Sequence, residues 1–139
     1  MVEKSMLIGF GLFTLIVFLS IIQPFFGALL KFYDEDKQYL ENIENFIEEI
    51  DCAIIYTISN PEEVYEKELN FPKDLNITIS GNEVEYNYLI NSNVYSNSKM
   101  YGSIFHTVFY HNITSTQYIL QVFFESNYVR ILFTKSMEE

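Results

Sequence analysis

Cysteine occurs once, at Cys52, so the chain can form neither an intrachain disulfide nor a zinc site built on four cysteines. Cys52 falls inside a helical pattern and reads as a small buried hydrophobe, not as a redox group. Histidine occurs only at His106 and His111. An odd separation puts the two on opposite faces of a regular strand, and no cysteine or carboxylate pattern accompanies them. There is no Gly-rich phosphate loop, no serine set in a nucleophile elbow and no metalloprotease histidine pair. Glu83 and Glu85 share one face of a predicted strand, where paired carboxylates serve solubility. Basic residues are also scarce: 8 Lys and Arg stand against 19 Asp and Glu, for a net charge of −11. Such a chain repels phosphate backbones, which removes nucleic acid as a partner. The expectation is a structural or binding protein and not an enzyme, with no catalytic, cofactor or metal site and no small-molecule substrate.

Charge is absent altogether from Met6 to Leu30, where Thr14, Ser20 and Gln23 are the only polar side chains. As a helix this run is about 37 Å long, more than the ~30 Å hydrocarbon core of a bilayer. A buried helix of a soluble protein is rarely apolar on every face for so long. The run exceeds the apolar part of an ordinary signal peptide and lacks a clear small-x-small junction, so it is expected to stay as a transmembrane helix. Residues 1–5 then form a short cytoplasmic tail. Lys4 on one flank and Lys31 and Lys37 on the other do not fix the orientation by charge. Asn76-Ile-Thr78 and Asn112-Ile-Thr114 are N-glycosylation acceptor patterns, and they favour an exported domain with Asn76 and Asn112 on its surface.

Neither proline nor glycine interrupts Ala28 through Ser59, so the helix is predicted to continue as an amphipathic segment over 31–59. Leu40, Ile43, Ile47, Ile50, Ile54 and Thr57 recur at spacings of three and four, with Phe46 and Ala53 on the flank. Glu41, Glu44, Glu48, Glu49 and Asp51 occupy the remainder. The stripe is a packing face, against the chain's own sheet or against a neighbouring helix. Asp34-Glu35-Asp36 lacks the spacing of a calcium loop and reads as a solvated collar. Asn60-Pro61 ends the helix.

The period then changes from helical to two, and 60–139 is predicted as one antiparallel β domain of five or six strands. Glu63–Leu69 reads as a polar edge strand. Leu75–Ser80 and Glu83–Ile90 form a hairpin through Gly81-Asn82, with Val84, Tyr86, Tyr88 and Ile90 as the inner row. Asn91–Lys99 is Asn/Ser-rich and reads as a loop. Ile104–Tyr110 is a strand, His111–Ser115 a turn, and Gln117–Glu125 pairs with Tyr128–Thr134 across Ser126-Asn127. The 11 tyrosines and 13 phenylalanines supply much of the core. The fold class is therefore α+β: a long N-terminal helix, transmembrane then amphipathic, packed on or leading to a small antiparallel sandwich or curled sheet.

An apolar helix carrying Pro24, turning amphipathic and ending on a small β domain resembles a type IV pilin. Ile47–Asp51, Asn60–Tyr65, Leu69–Pro72, Ile77–Asn82 and Val84–Tyr88 are similar to the helix end, strand entry and first hairpin of small archaeal pilin-like proteins. Archaellum accessory subunits look alike at this level. The resemblance implies a single-pass membrane protein whose helix packs with other pilin-like subunits or filament-base proteins, in contact with membrane lipid, and whose β domain is extracytoplasmic and glycosylated. It implies adhesion or filament function, with Leu40, Ile43, Ile47, Ile50 and Ile54 continuing the helix contact. Prepilins carry a basic leader, a small residue at the cleavage point and often an acidic or amide residue soon after. Here only Lys4 is basic, Gly9-Phe10 is the nearest junction, and Thr14 stands where an acid is expected. The departure favours a minor or accessory subunit over a major one. The alternative is an anchored envelope binding or adhesion module working through its β domain.

Overall fold

The computed structural model of the protein describes residues 2–114 and 116–136. Met1 of the expected tail, Ser115 of the expected turn and the last three residues of the β domain lie outside the described residues. One helix, α1, runs Val2–Ser59 with Pro24 inside it. Seven strands follow among the described residues: β1 Tyr65–Asn70, β2 Leu75–Ser80, β3 Glu83–Ile90, β4 Asn93–Met100, β5 Val108–Tyr110, β6 Gln117–Glu125 and β7 Tyr128–Lys135. The architecture is α+β, as expected, with seven strands in place of five or six. The chain divides into two compact units, Met1–Gln38 and Tyr39–Glu139, so the amphipathic end of α1 belongs with the strands.

In the second unit the strands form two antiparallel sheets, in the orders β1-β6-β7 and β4-β3-β2-β5. Leu75, Ile77 and Ile79 of β2 and Val84 and Tyr86 of β3 are buried, as the period-two pattern predicts; Tyr88 and Ile90 are half-buried. β1 lies at the edge of its sheet, paired only with β6. Tight turns close the hairpins where the backbone enters the left-handed region. Gly81 has φ 58°, which suits a glycine-first two-residue turn, and Ser126 and Asn127 have φ 50° and 72°.

The stripe on α1 is settled by burial. Ile43, Ile47, Ile50, Ile54, Phe46 and Ala53 join Phe71, Leu120, Val122, Val129 and Ile131 in one core, with Leu40 half-buried. Phe46 meets the Phe71 ring edge-on at 5.0 Å and stacks on Phe133 at 5.8 Å. Thr57 is wholly buried, and its hydroxyl donates to the Val122 carbonyl at 3.1 Å. Of the two partners open to this stripe, the chain's own sheets cover Ile43, Ile47, Ile50 and Ile54, so a contact with a neighbouring helix does not account for their burial. Each fully buried isoleucine contributes roughly 1.5–3 kcal/mol.

Three further expectations change. Asn91–Lys99 is not a loop: Asn91 and Ser92 form a turn at φ 51° and 64°, and β4 pairs with β3 along its whole length. Its polar side chains suit a strand that is exposed on nearly all positions. Ile104–Tyr110 is not one strand, because Phe105 bridges to Val129 of β7 while β5 pairs with β2, so the segment crosses from one sheet to the other. Cys52 is exposed. At about 100° per residue it points away from the Ile50 and Ile54 side.

Candidate anchor and surface sites

Between Met6 and Leu30, every large hydrophobic side chain except Ile22 is at least 42 % exposed, and Leu7 reaches 79 %. This helix is long and apolar enough to cross a membrane by length and composition. Its hydroxyls are satisfied locally, which a hydrocarbon surround demands. Thr14 donates to the Phe10 carbonyl and Ser20 to the Ile16 carbonyl, both at 2.8 Å. Pro24 carries no N–H, so the Ser20 carbonyl loses its helical donor. Gly9 and Phe10, the candidate processing junction, lie within the continuous helix, and a Cβ at Gly9 would meet nothing within 4 Å.

In the second unit, the two acceptor patterns meet. The Asn112 backbone N–H donates to Asn76 Oδ1 at 3.1 Å. Asn76 is the second residue of β2 and half-buried, whereas Asn112 is exposed at a left-handed turn, φ 54°. The histidines do not converge. His106 faces the Tyr128 ring at 6.4 Å, and His111 Nε2 lies 3.4 Å from Thr78 Oγ1. Among the described residues no three His, Cys, Asp or Glu side chains are grouped to hold a metal ion.

A polar cluster that the spacing did not reveal ties α1 to the sheet. Tyr101 donates to Asp51 Oδ1 at 2.8 Å, and Lys99 Nζ reaches Asp51 Oδ2 at 3.0 Å. Beside them, the fully buried Tyr86 hydroxyl has, among the described residues, no partner of normal hydrogen-bond geometry. Burial first, then the neighbouring Tyr101 and Asp51, push its phenol well above the ordinary range. Tyr101 is raised too, by burial and then by its bond to Asp51. The shared inward face of Lys99 and Tyr101, two apart, is the only sign of this cluster in the sequence. Glu49 and Lys67 form a second link at 2.6 Å, more exposed and correspondingly weaker.

Comparison with protein-family models, with characterised proteins and with solved structures gives no match.

Proposed function

We propose that this chain is a single-pass membrane-anchored structural protein, a pilin-like minor subunit or accessory of a type IV pilus or archaellum-type filament, with its β domain outside the cell. The observation that carries the reading is the helix from Met6 to Leu30, whose apolar side chains are exposed around its circumference. Burial against lipid or against equivalent helices is the physical remedy for such a surface. Since the 40–57 stripe is enclosed by the domain, assembly falls to the residues before Lys31. The work is structural and not catalytic, requiring no cofactor. Asn112 is the better placed of the two glycan acceptors, being exposed and in a turn.

A second reading is favoured by one specific observation. Tyr39–Glu139 has its own core, including the helix face that an assembling subunit would have shared. That arrangement suits an anchored binding module. Mass spectrometry of the native N-terminus, on membrane and sheared-filament fractions, separates the two. The filament reading expects the chain among filament proteins as a minor component, with trimming near Gly9 if it is processed. A full-length chain found only in the membrane, with no filament protein beside it, overturns that reading and leaves the binding module.

A further inference from the structure

We propose that the open edge of β4 is a self-pairing surface, at which a second copy of this chain adds its own β4, antiparallel about a two-fold axis at Asn97. The inference stands independently of the filament reading.

The other sheet edges are guarded. β7 exchanges backbone hydrogen bonds with the crossing segment, Val129 N–H to the Ile104 carbonyl and His106 N–H to the Val129 carbonyl, both at 2.9 Å. Tyr110 donates to the Ile131 carbonyl at 2.8 Å. β5 has only three residues. β1 is flanked from α1, through Lys67 on Glu49 and the Tyr65 ring against Tyr56. β4 has eight residues, one neighbouring strand among the described residues and neither proline nor bulge to blunt it.

The direction of its free groups follows from the ladder. Tyr101 N–H donates to the Asn82 carbonyl at 2.8 Å. Antiparallel bonding alternates, so Lys99, Asn97, Tyr95 and Asn93 bond to β3, while Met100, Ser98, Ser96 and Val94 turn their N–H and C=O groups to the open side. A second β4 can satisfy all of these only where outward residues oppose outward residues. The two-fold register centred on Asn97 does so, setting Val94 against Met100 of the second copy and Ser96 against its Ser98. The side chains then match. Val94 and Met100, 73 % and 72 % exposed, cover each other at both ends of the seam. Tyr95, stacked on Tyr88 at 5.9 Å, comes opposite Lys99 of the second copy, whose ammonium is held by Asp51. β4 itself contains no carboxylate, in a chain of net charge −11, and the acid beside it, Glu85 of β3, accepts a hydrogen bond from the Ser96 hydroxyl at 3.1 Å. Pairing of this kind is isologous and closes on itself as a dimer.

At the axis, the two Asn97 residues form a pair without mutual hydrogen bonds, with Cα atoms about 4.5 Å apart, within disulfide range. The test uses the full chain in lipid vesicles, with Cys52→Ser removing the native thiol and Asn97→Cys placing one on the axis. Mild oxidation is expected to yield mainly disulfide-linked dimer, while Thr134→Cys in the same background stays monomeric. Adding Ser96→Pro, which removes an outward N–H and spares the β3 ladder, is expected to cut the cross-linking at least tenfold without lowering the melting temperature by more than a few degrees. Val94→Glu with Met100→Glu sets like charges across the seam and is expected to act alike. Equal cross-linking at positions 97 and 134, or cross-linking that survives both disruptions, overturns the proposal. A chain that fails to enter the vesicles yet still cross-links at 97 would retire the anchor and keep the seam.

Discussion

Tyr86 and Tyr101 lie side by side in the β domain with opposite relations to their hydroxyls. Tyr101 uses its hydroxyl to hold Asp51, whereas that of Tyr86 is buried without a normal partner. Tyr86→Phe is therefore expected to leave stability at pH 7 unchanged or raise it by up to about 1 kcal/mol, and Tyr101→Phe to lower it by about 1–3 kcal/mol. Both phenols are raised in the folded state, so the folded chain keeps protons that the unfolded chain releases. Their contribution is complete below about pH 10 and is lost as pH rises beyond it, by up to ~1.4 kcal/mol per pH unit for each group. Tyr86→Phe should flatten that alkaline fall. Urea unfolding of the two variants at pH 7 and above pH 10 checks both statements. The inward position of Tyr86 was legible from strand alternation. The pairing of Tyr101 with Asp51 was not, because it joins residues 50 apart in different elements. Cys52 was misplaced for a simpler reason: hydrophobicity alone does not give its angle around the helix.

Two elements show where a sequence pattern carries information and where it stops. The α1 stripe was legible because burial of one face writes itself into the 3.6-residue period. What covers that face was not legible, since an internal sheet and a neighbouring helix demand the same apolar row. The core answers the question for Ile50, which is 1 % exposed, while Ile55 on the outer side is 53 % exposed. Ile50→Ala is accordingly expected to cost about 2–5 kcal/mol in domain stability, and Ile55→Ala less than about 0.5 kcal/mol. A charge at Ile47 or Ile50 should act through folding in the same way. Thermal melts of the purified full chain in detergent, read by near-ultraviolet circular dichroism, distinguish this from a surface role, which would spare folding. β4 marks the opposite limit. A strand is recognised by the side chains it buries, and β4 leaves most of its own exposed, so only the backbone register with β3 defines it. The split of Ile104–Tyr110 between two sheets is likewise a property of long-range pairing, absent from the local apolar run.

For the whole molecule, the dominant facts are the segregation of apolar surface and charge along the chain. Glu3 and Lys4 cancel, so the entire net charge of −11 follows the apolar run. Two copies brought together in one membrane would repel through these domains, against the attraction of a strand whose only formal charge, Lys99, is paired with Asp51. Repulsion between exposed groups acts over the Debye length, about 30 Å at 0.01 M salt and about 8 Å at 0.15 M, whereas backbone pairing and the Val94–Met100 contacts are short-ranged. Salt therefore screens the opposing force while leaving the attractive one intact. Cross-linking of the Asn97→Cys, Cys52→Ser chain in vesicles should accelerate severalfold between about 0.01 and 0.15 M sodium chloride. An interface built on ion pairs would slow over the same range. A rate that falls with salt would mean that copies meet through charges elsewhere on the domain, and that β4 is not the surface that joins them.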